Sequence, residues 1–240
     1  MVNILVSRFL KIQRYHARHL NLLMKKISPF SLIFFFIFAL FLAPSAFSNA
    51  NIFHDCPPGG SLKTKDDHEV NKLKNRIDIP KGFEDMSFDT LLRLPIPPGV
   101  SPKRRFGWPF DDLVQVQAQE KRAVRVEGYI VATNQAHAES CNCYSKTDLD
   151  FHIWLAGSPN DSKANAVVTE ATPRIKLNHP SWTLDNLNKF VENHTKVRIS
   201  GWIMLDADCP ECVGKTRGTL WEIHPVLKIE AQEAEGWREL

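Results

Sequence analysis

Carboxylate and imidazole recur two residues apart at Asp150/His152 and again at Glu222/His224. Side chains two apart on a β-strand emerge on one face, so each pair could ligate a metal ion or work as general base and acid. With Arg217 to hold an anionic substrate, these four groups would suit a metal-assisted hydrolase of the phosphodiester class. Sulfur supplies a second constellation, Cys141-Asn-Cys143 and Cys209-Pro-Glu-Cys212. Four thiols brought together from two loops can close two cross-loop disulfides or, through a CxC plus CxxC spacing, a tetrahedral zinc site. The fifth cysteine, Cys56, is either free or pairs with one loop cysteine and leaves another unpaired. The CxxC begins no predicted helix and so lacks the dipole that lowers a thiol pKa for redox work.

Other matches carry less. Gly214-Lys215-Thr216 looks like the end of a phosphate-binding loop, but Cys209 stands where that motif needs glycine, and a strand follows where it needs a helix. Asn160-Asp161-Ser162 and Asn193-His194-Thr195 fit the glycosylation pattern, which matters only in a eukaryotic secretory pathway. The chain has no GxSxG motif, no HExxH motif and no internal repeat.

The elements that must position these residues come from two kinds of patterning. Residues 51–108 are proline-rich and polar, with Cys-Pro-Pro-Gly-Gly at 56–60, Leu-Pro-Ile-Pro-Pro-Gly at 94–99 and a basic knot at Lys103-Arg104-Arg105. Such proline density precludes long helices and central strands. The segment reads as an arm with short helices near 67–76 and 88–93, draped over the main domain, and a lead-in helix follows over 111–121 within residues 109–122. Period-two alternation then takes over: Val124, Val126 and Ile130 in one stretch and Phe151, Ile153 and Leu155 in the next predict half-buried strands. A third strand runs over 166–172, an amphipathic helix over 183–191, and two more strands around Val197–Ile203 and Trp221–Ile229.

The N-terminus fixes the compartment in which these groups would work. Lys25 and Lys26, an apolar block from Phe30 to Ala43 and the small-residue tail Ser48-Asn49-Ala50 read as a cleaved secretory leader. Met24 begins a conventional leader, so residues 1–23 are either an upstream extension or a long basic n-region. An uncleaved anchor would be the only route to a membrane, and the block is shorter than the roughly twenty residues that span one. Residues 1–50 hold six of the 30 Lys plus Arg and none of the 27 Asp plus Glu, so removing them turns a formal charge of +3 into a weakly acidic balance. That balance argues against broad, charge-driven nucleic-acid binding. Export to the periplasm or beyond makes disulfides the expectation for the cysteines, with zinc the alternative and no other cofactor implied.

The order of strand, strand, strand, helix, strand, strand over residues 123–231, with Gly128 in the first strand and Gly201 in the fourth, resembles the OB-fold, a five-stranded Greek-key barrel. The fold class expected is therefore mainly β, with the arm before the barrel and a tail at 232–240. Glu-Ser-Cys-Asn-Cys, Asp-Phe-His-Ile-Trp-Leu and Thr-Leu-Trp-Glu-Ile-His-Pro are also similar in wording to a group of exported bacterial proteins. The OB resemblance implies strands neighbouring one another as 1-2-3-5-4, with the fourth closing on the first. Tyr129, Trp154 and Trp202 then lie on contiguous strands facing outward, a platform for bases or sugar rings unless the arm covers them. The same order separates the strands of the two carboxylate–imidazole pairs by one strand, roughly 10 Å, which disfavours one metal bound by both.

The preferred reading is an exported OB-like binding module for an oligosaccharide, nucleic acid or protein partner. The metal-assisted hydrolase is the second reading, and a structural periplasmic interaction module the third.

Overall fold

Alternation along the long strands gives each of them a mostly apolar face that closes into a barrel interior. The computed structural model describes residues 56–61, 65–102 and 105–240, so the leader at 1–50 and the Lys103-Arg104 part of the basic knot lie outside the described residues. The strands are β1 (Glu84–Met86), β2 (Ala123–Gln135), β3 (Phe151–Ala156), β4 (Val167–Ala171), β5 (Lys196–Leu205), β6 (Trp221–Glu233) and β7 (Gly236–Glu239). The helices are α1 (Lys65–Lys74), α2 (Phe88–Leu92), α3 (Phe110–Glu120), α4 (Pro173–Lys176) and α5 (Leu184–Glu192). The sheet runs β1-β2-β3-β4-β6-β5, and β5 pairs back onto β2. Its five central strands thus form the closed OB-like order expected from the sequence. Closure depends on the long β2, whose residues 123–129 pair with β5 while 129–135 pair with β3, with a register shift between Ile130 and Ala132. Between β4 and β6 the pairing is parallel and confined to Thr169 opposite Ile223.

Val124, Val126, Ile153, Val197, Ile199, Trp221 and Ile223 are fully buried inside, on the parity that the alternation predicts. Each such side chain stabilises the barrel by roughly 1.5–3 kcal/mol relative to exposure. Gly201 has a steric reason: a Cβ there would stand 2.2 Å from the Pro225 carbonyl oxygen across the β5–β6 pairing. Helix α5 starts where the Thr183 hydroxyl accepts a hydrogen bond from the Asn186 N–H. It buries Leu187 against the core and packs on β2.

Two strands go beyond the expected set. Met86 of β1 is buried, and β1 lies parallel to β2 at its edge, where a three-residue strand is compatible with a proline-rich neighbourhood. The C-terminal tail folds back through Gly236, at φ 122°, to form β7 against β6.

One outer face of the barrel is capped. Cys56 is disulfide-bonded to Cys143. Asn71 of α1 donates to the Gly59 carbonyl at 3.0 Å, and Asn75 donates to the carbonyls of Pro58 at 2.9 Å and Cys141 at 2.8 Å. Gly60 adopts φ 62°, and a Cβ there would lie 2.2 Å from the Ser140 carbonyl oxygen, so this contact requires glycine. Helix α1, stitched in this way to the turn at 140–142, packs against β6. It thereby buries a strand face that would otherwise be exposed. Among the described residues, no helix is long and apolar enough to cross a membrane.

Candidate functional site

Beneath this cap the two carboxylate–imidazole pairs meet. Glu222 and His224 alternate with the core residues Trp221 and Ile223 on β6, so they point to the outer side, yet they are 1% and 0% exposed. The strand face that carries them is therefore closed to solvent, with α1 packed against β6. The separation of roughly 10 Å also gives way, because His224 Nε2 lies 4.0 Å from Asp150 Oδ2. Backbone spacing was a poor guide, since an imidazole and a carboxylate each reach several ångströms across the intervening strand.

That intervening strand supplies the residue missing from the sequence reading, Glu170. It stands opposite His152 in the β3–β4 register. Its two oxygens divide between two rings: Oε1 is 3.3 Å from His152 Nε2 and Oε2 is 3.3 Å from His224 Nδ1. Glu222 Oε2 lies 3.5 Å from the same His224 Nδ1. None of these contacts has hydrogen-bond geometry. Asp150 Oδ2, Glu170 Oε2, Glu222 Oε2, His152 Nε2 and both His224 nitrogens have no hydrogen-bond partner, a costly condition for groups so deeply buried.

The remaining atoms of the cluster are firmly held. Asn142 donates to Asp150 Oδ1 at 3.1 Å. Arg217 donates to Glu222 Oε1, to Asp206 Oδ2 at 3.1 Å and to the Thr219 carbonyl at 2.8 Å. The arginine thus makes one bond each from Nε, Nη1 and Nη2, orients Glu222 with the last, and also lines a cavity that adjoins the cluster. Lys74 reaches in from α1 to pair with Glu139 Oε2 at 2.7 Å. The ionisable groups come to five carboxylates (Glu139, Asp150, Glu170, Asp206, Glu222) against the cations of Lys74 and Arg217.

This excess of negative charge sets the proton affinities. Burial pushes the Asp150 carboxyl up to about 6, with the Glu170 charge adding to the effect. Burial disfavours a charged His152, but Glu170 above all, and Glu222, hold its pKa up to about 9. His224 is likewise raised: burial, the largest single influence, lowers it, but Glu170, Glu222 and Asp150 together outweigh that. Glu170 itself stays well below the carboxylate range because the neighbouring His224 and His152 overcome its desolvation. Burial raises Glu222 despite Arg217. Protons on imidazole are one way to neutralise this cluster, and a divalent cation, which displaces such protons, is the other.

The geometry admits a cation. One ligand atom from each of Asp150, Glu170 and His224 lies within 4.8 Å of the other two. A transition-metal ion sits roughly 2.0–2.2 Å from nitrogen and oxygen ligands, so its ligands are no more than about 4.4 Å apart, within reach of small side-chain rotations. A cavity of about 500 Å³ opens beside the cluster, lined by Lys74, Glu139, His152, Glu170, Arg217 and Glu222 among others.

The cysteines are disposed differently from the cross-loop pairing or four-thiolate zinc site expected of them. Cys143 bonds Cys56, Cys209 bonds Cys212 within its own loop, and Cys141 is a buried free thiol. The reason is the arm, which delivers Cys56 to the 140–142 turn and consumes one partner. This is the alternative in which Cys56 pairs with one loop cysteine and leaves another unpaired. Both loops still border the one cavity, through Glu139 and Ser140 on one side and Cys212 on the other.

The three aromatic rings do not lie bare. Trp154 is 7% exposed, donates from Nε1 to the Thr216 carbonyl at 2.7 Å and carries the Lys163 ammonium over its ring. Trp202 lies under Arg76 of the arm and donates to the Asp78 carbonyl at 3.2 Å. Tyr129 is half-buried, paired with Ala156 across β2 and β3.

Glu170 had a signal in the sequence. It is the one charged residue in Val-Val-Thr-Glu-Ala, a strand buried along its whole length, where an acid needs a partner. Glu139 opens the Glu-Ser-Cys-Asn-Cys stretch, whereas Lys74 and Asp206 carried no local signal. The chain matches no protein-family model, and comparison with curated proteins finds no significant relative. What fold and site define is a class: an OB-like barrel with a capped acid–imidazole centre opening on a cavity.

Proposed function

We propose that this is an exported, metal-dependent hydrolase whose divalent cation is held by Asp150, Glu170 and His224. The observation that carries the proposal is the convergence of these three side chains, each less than a tenth exposed and each with an unpartnered polar atom turned toward the others. Imidazole with carboxylate suits zinc or manganese better than calcium. Glu222, held at one oxygen by Arg217, with the other 3.5 Å from His224 Nδ1, and lining the cavity, is the general base. It accepts the proton of a water whose oxygen bonds to the electrophilic centre of the substrate. The ester bond breaks with its electron pair on the leaving oxygen, and Glu222 returns the proton there. Export is supported by the leader pattern and by two disulfides, which persist in oxidising compartments.

The test is metal content together with hydrolysis of bis(4-nitrophenyl) phosphate by the purified, disulfide-intact protein. Manganese-dependent turnover should fall at least a hundredfold in Asp150→Asn and His224→Gln. Turnover that survives chelation, or is equal in all three proteins, would remove the proposal. One observation favours the binding-module reading instead: a cavity of about 850 Å³ bordered by Leu73, Arg76, Leu113 and Trp202. Saturable oligosaccharide binding lost in Trp202→Ala, with no turnover, would support that reading.

A further inference from the structure

The cluster contains more ligand atoms than one ion needs. Resting on the hydrolase reading above, we propose that the centre holds two divalent cations bridged by Glu170, the second bound by Glu139, His152 and Glu170, and that its substrates are phosphate esters.

Three observations meet here. The atoms of Glu139, His152 and Glu170 form their own set within 4.8 Å of one another, alongside the set of Asp150, Glu170 and His224. Glu170 belongs to both, and its two oxygens are already apportioned, Oε1 to His152 Nε2 and Oε2 to His224 Nδ1, each at 3.3 Å. A carboxylate that is 3% exposed and turned to two separate imidazoles has the disposition of a bridging ligand. Finally, the two positions differ in access. Glu139, His152 and Glu170 all line the cavity of about 500 Å³, whereas Asp150 and His224 are not among its lining residues. The deeper position is enclosed by protein, and the second stands between it and the space a substrate would enter.

Lys74 gives this second position its character. Its ammonium lies 2.7 Å from Glu139 Oε2, so a cation there shares Glu139 with a fixed positive charge and binds more weakly than the deeper one. Two cations plus that ammonium around a polar cavity match the charge of a phosphate ester. A pair of metal ions roughly 3.5–4 Å apart clamps the attacking and leaving oxygens of an in-line displacement at phosphorus. The products are a phosphate monoester, or phosphate, and the alcohol.

Manganese titration of the full, disulfide-intact protein tests the proposal, read by calorimetric stoichiometry and by the exchange-coupled electron paramagnetic resonance signal of adjacent Mn(II) ions. Two ions and a coupled signal are expected for the wild type. His152→Gln should retain one ion, lose the coupling and weaken second-ion binding at least tenfold. Lys74→Gln should tighten the second ion severalfold. One ion in both wild type and His152→Gln, absent from Asp150→Asn, would overturn the two-ion centre and leave the hydrolase reading standing. No ion in any of them would overturn both. Should His152→Gln misfold, the wild-type stoichiometry and coupling decide alone.

Discussion

Strand β6 carries two charged pairs of the same spacing, Glu222/His224 toward one end and Lys228/Glu230 toward the other, and they have opposite fates. Glu230 accepts from Arg198 at 2.7 and 2.9 Å and pairs with Lys228 at 3.1 Å. It belongs to a ladder with Arg125–Asp85 and Lys196–Glu127 across neighbouring strands. There each carboxylate has its cation. Under the α1 cap the carboxylates outnumber the cations, and six buried polar atoms find no hydrogen bond. The ladder is a set of matched ion pairs that β-pairing organises, half-exposed at Arg125–Asp85 and Lys196–Glu127 and covered at Glu230. The capped cluster is stored electrostatic cost, which a bound cation would relieve.

The largest contrast is expected in metal binding. Glu170→Gln should lower manganese affinity at least a hundredfold, because it removes the acid common to both ligand sets, while Arg198→Ala should leave it unchanged; isothermal titration reads both. Equal affinity in the two variants would erase the distinction between the faces.

Stability sharpens it next. The Cys56–Cys143 bond spans a sequence separation of 87 and ties down the cap, whereas Cys209–Cys212 spans 3. By chain entropy the first contributes about 4–5 kcal/mol and the second about 2. Denaturant unfolding of Cys56→Ser and Cys209→Ser should show that order.

The two faces should also respond to pH in opposite directions. His152 has a folded pKa of about 9 against about 6.5 unfolded. Its contribution in chelator-treated protein is therefore full below about 6.5 and lost as pH rises toward 9. Glu230 and Glu84 are held low chiefly by hydrogen bonds from Arg198 and Arg122. Their contribution is present above the usual carboxylate range and is lost as pH falls through their lowered values. Melting curves from pH 2 to 10 should show both limbs, and His152→Gln should shrink only the alkaline one, to which His224 also contributes.

The smallest effect belongs to the ladder itself. Lys196→Ala breaks a pair whose side chains are 35% and 44% exposed, and in denaturant unfolding it should cost about 1 kcal/mol or less, as exposed ion pairs do.

The barrel was legible in the sequence because period-two alternation at Val124/Val126, Ile153/Leu155 and Val197/Ile199 is a local property of the chain, and the helix position completes the topology. The site was legible in halves. Asp150/His152 and Glu222/His224 were visible as pairs, but their union depends on Glu170 from a third strand and on burial by α1, both long-range facts. The cysteine pairing depends likewise on where a proline-rich arm docks, which no spacing encodes. Trp154 and Trp202 alternate as outward residues should, and only the loop carrying Thr216 and the arm segment carrying Arg76 and Asp78 decide what lies over them.

Anomalous diffraction from crystals of the full protein grown with manganese or zinc tests the central claim most directly. The account predicts a peak roughly 2.0–2.2 Å from the nitrogen and oxygen atoms of Asp150, Glu170 and His224. A peak on sulfur, on surface histidines alone, or nowhere on the protein would contradict it.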